Sequence, residues 1–143
     1  GQIVLSGKNE DLEFLSNFLK DNKIKNIKLP VSAPFHCELM NKATEIMKKE
    51  LEKVDFKKSN NTLISNVTAD EILDIKDLKN LLISQIEKRV RWRESIVNMV
   101  NYGVSQFIEI GPGKVLSGLI KRINKDVKIT SINNQSDIES LKI

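Results

Sequence analysis

Between Ser105 and Ile132 the chain reads SQFIEI, GPGK, VLSGLIKRIN and then, after a short break, VKITSI. A strand-like run turns through glycine and proline into a short helix and returns as a second strand-like run. The front repeats the order. QIVLS at 2–6 reads as a strand stopped by Gly7. NEDLEFLSNFLKD at 9–21 places Leu12, Leu15, Phe18 and Leu19 at helical spacing, with Asn9 as N-cap and acids in the first turn. IKNIKLPVS then reads as extended up to Pro30, completing a βαβ-like or ferredoxin-like half unit. Between these blocks, Leu39, Met40, Ala43, Ile46, Met47 and Leu51 predict an amphipathic helix over about 38–54. NTLISNVTA predicts a short buried strand through Leu63, Ile64 and Val67. Asp74 to Lys88 and VRWRESIVNMVNYG predict two more helices, the second ended by Gly103 in a C′ position. Such alternation fits an α/β domain with a mostly parallel sheet.

The 143 residues suffice for one domain with a core, or for part of a larger one. The chain opens without Met on the apolar run QIVL, which suggests a piece of something longer or a processed chain. The opening residues lack the charged flank, apolar core and cleavage site of a secretory signal. No apolar run approaches the ~18 residues of a transmembrane helix, so no membrane association is expected. The single cysteine excludes an internal disulfide and fits a cytoplasmic location. One Cys and one His cannot build a four-ligand structural zinc site. Net charge is +4, with lysines interleaved with acids along helical segments, the pattern of a solvated face. With five Phe, one Tyr and one Trp, and no basic–aromatic interleaving, a nucleic-acid partner is not expected. A mildly basic surface suits an acidic protein or a phosphate-bearing small molecule.

The residue most open to a chemical role is His36, in LPVSAPFHCELM at 29–40. By itself it reads either as a histidine capping a helix or as a general base, which would need a nucleophile and an acceptor for its second ring nitrogen. Cys37 is a poor partner, because backbone neighbours point apart; a small apolar packing role suits it better. No serine lies in a G-x-S-x-G elbow: Ser105 enters a strand, Ser117 lies within a helix, and Ser6 lacks the first glycine. GPGK at 111–114 is either a tight strand-to-helix turn or a phosphate cradle of backbone N–H groups, without Walker spacing. Met40, Met47 and Met99 sit on apolar helix faces and read as core.

LPVSAPFHCELM, LISNVTA and QIEKRVRWRESIVNMVNYGVSQFIEIGPGKVLSGLIKRI, in this order and spacing, resemble the C-terminal portion of the malonyl-CoA:acyl carrier protein transacylase family. The resemblance runs from GQIVLSG to about Asn133. It implies an α/β-hydrolase-like acyltransferase core, here residues 33–143, preceded by part of a ferredoxin-like small subdomain, residues 1–32. It implies ping-pong malonyl transfer from malonyl-CoA to the phosphopantetheine thiol of acyl carrier protein, through a malonyl-serine ester and without a metal or redox cofactor. His36 falls on the family's catalytic base. Gln85 falls on the residue whose backbone carbonyl holds that base, so its side chain is not required as the acceptor. Phe35 matches the position associated with an unbranched malonyl substrate, where a ring blocks an α-methyl group. Lys25 falls near a basic position associated with CoA, and reads equally as a solvated lysine.

The family's serine elbow and malonyl-binding arginine find no match in this sequence. The expectation is therefore a half-site whose partner is an N-terminal half, in a chain that is marginal alone. The alternative is an inactive remnant that binds acyl carrier protein or CoA without turnover.

Overall fold

The computed structural model describes residues 2–141. The chain forms two compact units, Gly1–Val90 and Arg91–Ile143. The expected division after residue 32 concerns the subdomains of the family and falls inside the first unit.

The first unit begins with α1, Asn9–Asp21, whose Leu12, Leu15 and Leu19 are half-buried. Glu10 and Asp11 stand in its first turn and Lys20 in its last, complementing the helix dipole. The expected Asn9 cap is displaced by one residue. Leu12 N–H donates to the Lys8 carbonyl, so Lys8, in extended conformation, is the N-cap and Asn9 is already helical. At the other end Ile24 N–H reaches Leu19 O at 2.8 Å and Lys23 N–H reaches Lys20 O at 2.9 Å. That Schellman closure puts Lys23 in the left-handed region at φ 59°, a place more often held by glycine.

The strands expected on either side of α1 do not form. Residues 2–7 and 24–31 carry no strand, and Ile3 is 86% exposed. A strand exists only where a neighbouring backbone completes its ladder, and among the described residues neither segment finds one. The second is tied back to α1 instead: Ser16 Oγ donates to Asn26 Oδ1 at 2.7 Å, and Asn26 Nδ2 donates to Ser16 O.

The helix expected over 38–54 is a 3₁₀ turn, Glu38–Met40, followed by α2, Asn41–Glu52. The expected strand at 61–69 is a tight turn: Ile72 N–H donates to Leu63 O, Ser65 N–H donates to Asp70 O, and an isolated antiparallel bridge joins Ile64 to Glu71. Next comes α3, Ile75–Ser84, capped by the Asp74 carboxylate, which accepts from Lys76 N–H at 2.9 Å. It packs on α2. It ends before Lys88 because Ile86 and Glu87 donate to carbonyls three residues back, which tightens the chain into turns.

The second unit contains α4, Trp92–Asn101, β1, Gln106–Ile110, α5, Val115–Ile123, β2, Lys128–Ile132, and α6, Gln135–Glu139. Gly103, at φ 94°, closes α4 as expected, with Val104 N–H on Met99 O and Gly103 N–H on Val100 O. β1 and β2 pair in parallel, Gln106 opposite Lys128 through Ile110 opposite Ile132, with α5 as the crossover. The mixed architecture with a parallel sheet is the expected α/β class. Ile96 of α4, Ile120 of α5 and Ile132 of β2 are buried, and α5 packs on α4, β1 and β2.

Glu109 of β1 caps α5. Its two carboxylate oxygens accept from Leu116 N–H at 3.0 Å and Ser117 N–H at 2.7 Å. The neighbouring Ser117 hydroxyl, opposed by partial desolvation and aided by these backbone donors, holds its pKa below the ordinary 4.5. A lowered carboxyl pKa stabilises the fold above the unfolded value, and that contribution is lost as pH falls through the folded one. Glu109→Gln is therefore expected to be less stable than the parent near neutrality, and the gap in urea midpoint is expected to close below about pH 4.5. A gap that stays constant into acid would refute the charged cap.

The chain leaves much apolar surface open. Phe14, Leu73, Ile110 and Val115 are each more than 70% exposed. Total accessible surface is 11555 Å². Even two wholly separate globules of these lengths would expose together only about 9,000 Å². No helix among the described residues is long and apolar enough to cross a membrane.

Candidate active site

His36 sits between Pro34 and the 3₁₀ turn. Phe35 N–H donates to Ala33 O at 3.0 Å, Cys37 Sγ donates to Pro34 O at 3.2 Å, and Met40 N–H donates to Cys37 O at 3.0 Å. The half-buried Cys37 thus holds the loop together. In this bend His36 adopts φ 60°, the left-handed region. Non-glycine residues held there cost about 1–3 kcal/mol, and such strain clusters at functional sites.

The bend lets His36 reach two consecutive carbonyls beyond the end of α3. Its backbone N–H donates to Ile86 O at 3.2 Å, and its ring Nδ1 lies 2.8 Å from Gln85 O. A carbonyl only accepts, so the neutral ring carries its proton on Nδ1 and keeps its lone pair on Nε2. Among the described residues no hydrogen-bond partner engages Nε2. The result is an exposed imidazole fixed in one tautomer by the backbone, with its basic nitrogen free. No Asp or Glu takes part in the contact.

The structure thus brings His36 and Gln85 together across 49 residues of sequence. Phe35 adjoins the ring in sequence and is 48% exposed. Lys25 is exposed in the segment after α1 and makes no hydrogen bond or ion pair with these three among the described residues. One participant was not singled out from the sequence: Asn66, whose Nδ2 donates to Gln85 Oε1 at 2.9 Å. The signal was present within the LISNVTA stretch, but nothing in spacing alone links it to residue 85.

GPGK behaves as a turn. Gly111 N–H donates to Ile132 O and Gly113 N–H to Asn133 Oδ1, while Glu109 occupies the Leu116 and Ser117 N–H groups of α5. Four of the backbone donors around this turn, those of Gly111, Gly113, Leu116 and Ser117, are thus engaged within the chain. Among the described residues no group of three or more His, Cys, Asp or Glu is placed to hold a metal ion.

Comparison with known proteins gives one consistent result. No family profile matches the chain. It is 45% identical over 140 residues to a malonyl CoA-acyl carrier protein transacylase of Bacillus subtilis, covering 97% of this chain and 44% of the relative. The Staphylococcus aureus transacylase is 37% identical, with 97% and 46% covered. Among solved structures, the transacylase of Clostridium perfringens superposes with a TM-score of 0.83 at 41% identity, over 90% of this chain and 40% of that one. The acyl carrier protein S-malonyltransferase of Vibrio cholerae superposes with a TM-score of 0.87 at 35% identity, over 95% and 45%. The chain therefore spans less than half the length of the relatives it matches. With the same enzyme recurring in sequence and in structure over nearly all of its length, the chain belongs to the malonyl-CoA:acyl carrier protein transacylase family and corresponds to its C-terminal portion.

Proposed function

We propose that this chain supplies the histidine-bearing part of a malonyl-CoA:acyl carrier protein transacylase of fatty acid synthesis, acting in the cytoplasm and completed by an N-terminal half that carries the serine nucleophile. The observation that carries the reading is the 2.8 Å contact between His36 Nδ1 and Gln85 O. With Nδ1–H held there, Nε2 takes the proton of the serine hydroxyl as its oxygen attacks the malonyl thioester carbonyl. The collapsing intermediate expels the CoA thiolate, which receives that proton from Nε2. The malonyl-serine ester is then attacked by the phosphopantetheine thiol, whose proton passes to Nε2 and on to the departing serine oxygen. A neutral acceptor suffices, because it has only to hold the tautomer and the ring.

Phe35 narrows the acyl site beside His36, and Lys25 contributes positive charge towards CoA. Residues 1–32 belong to the small subdomain and 33–143 to the acyltransferase core. One related structure is a malonyl-transacylase in complex with a type II polyketide acyl-carrier protein, which supports acyl carrier protein as acceptor here. The second reading is an inactive remnant that binds acyl carrier protein or CoA without turnover.

The test mixes this chain with the N-terminal portion of the Bacillus subtilis relative and follows acyl transfer to acyl carrier protein from malonyl-CoA and methylmalonyl-CoA. Transfer from malonyl-CoA in the mixture, and in neither part alone, is expected. Phe35→Ala is expected to narrow the preference for malonyl by about tenfold, the scale of one methyl group in an apolar pocket. Binding of either ligand without transfer in the mixture would favour the remnant.

A further inference from the structure

We infer that Asn66 is a positioning residue for His36, acting through the side chain of Gln85; the inference rests on the reading of His36 as the base. Asn66 projects from a turn fixed on both sides. Ser65, 4% exposed, accepts with Oγ from Val67 N–H at 3.1 Å and Thr68 N–H at 3.3 Å. Its backbone N–H donates to Asp70 O, and its carbonyl accepts from Ala69 N–H, each at 2.9 Å. Ala69 is fully buried and held at φ 63°, so this turn has little freedom to rearrange.

From that turn Asn66 Nδ2 donates to Gln85 Oε1 at 2.9 Å, across 19 residues of sequence. Gln85 lies just beyond the last residue of α3, where the chain leaves the helical ladder for turns. Carbonyls at a helix end lack the i+4 donors that fix those inside. The direction of the Gln85 carbonyl is thus set by whatever restrains residue 85. Its own N–H is held by Leu81 O at 3.0 Å, and its side chain by Asn66. The same residue that offers its carbonyl to the imidazole is gripped by its amide. Asn66 orients the acceptor, and the acceptor sets the tautomer.

His36 is the sole histidine, so the imidazole nitrogens of this chain can be read by ¹⁵N NMR without ambiguity. On the neutral ring the parent chain is expected to show Nδ1 as the protonated nitrogen and Nε2 as the bare one. Asn66→Ala is expected to move the tautomer ratio towards Nε2–H by about fivefold, the weight of one ordinary hydrogen bond. Its far-UV circular dichroism is expected to match the parent's. Asn66→Asp is expected to keep the parent ratio, because the Gln85 amide can turn and donate to the new carboxylate. Three results would each overturn the inference: a parent ring without Nδ1–H in excess, an Asn66→Ala ring identical to the parent's, or an Asn66→Asp ring shifted as far as that of Asn66→Ala. The readout is independent of acyl transfer. A failed transfer assay beside these NMR results would remove the proposed function and leave the clamp standing.

Discussion

His36→Ala is expected to lower malonyl transfer by the completed enzyme about 10³-fold or more, whereas Gln85→Ala is expected to cost only about tenfold. On the proposed mechanism the first change removes the group that takes and returns the serine and thiol protons, and general acid–base catalysis alone contributes about 10²–10⁴. On that mechanism the same ring serves both half-reactions, so both are expected to slow together. The second change leaves the acceptor in place, because Nδ1 is held by the backbone carbonyl of Gln85 and not by its amide. What Gln85→Ala removes is the grip of Asn66 on that residue; around metal-bound histidines, loss of the contacts that orient the ring's partner costs about 10–100-fold, and the lower end of that range is expected here. Steady-state rates for both variants, at saturating malonyl-CoA, separate the two effects. Equal losses would mean that the side chain of Gln85, not its carbonyl, does the work.

Ile96→Ala is expected to destabilise the second unit by about 2–5 kcal/mol, enough to unfold a marginal chain outright. Ile96 is fully buried in α4, where few other large apolar side chains among the described residues are enclosed. A cavity there has little surrounding core with which to collapse. Ile110→Ala, by contrast, is expected to change the isolated chain by no more than about 0.5 kcal/mol, because Ile110 is 79% exposed on β1. The sole tryptophan, Trp92, lies on the same helix as Ile96 and reports its unfolding by fluorescence. In urea the Ile96→Ala midpoint is expected to fall by about 1 M or more. Equal midpoints for the two variants would contradict the burial pattern. If β1 acquires a cover when the N-terminal half binds, Ile110→Ala becomes costly in the mixture alone.

The helices were legible because their apolar residues recur at helical spacing whatever surrounds them. The Leu12, Leu15 and Leu19 stripe of α1 and the Gly103 closure of α4 are properties of a few adjacent residues. β1 and β2 were legible because the short crossover α5 brings them together within one stretch. QIVLS and IKNIKLPVS look as strand-like as SQFIEI, yet form no strand, since a strand is a relation to another backbone and these segments lack one among the described residues. LISNVTA became a turn because the Ser65 hydroxyl bonds the next N–H groups more locally than a ladder would. The short α6, capped by Asn134, was missed for want of enough turns to show a period. At the site, composition and spacing left His36 open between a cap and a base. The resemblance pointed to Gln85, while the long-range Asn66 contact and the nearer Glu109 cap of α5 are visible only in three dimensions.

On the proposed function, His36 is a base whose nucleophile lies on another segment. Intact-protein mass spectrometry after incubation with malonyl-CoA tests it most directly, on this chain alone and after mixing with the N-terminal portion of the Bacillus subtilis relative. A malonyl adduct that appears only in the mixture, resides on the N-terminal portion and is lost with His36→Ala is the expected result. A malonyl adduct on this chain by itself would contradict the account and transfer the chemistry to Cys37 or to a serine of this chain.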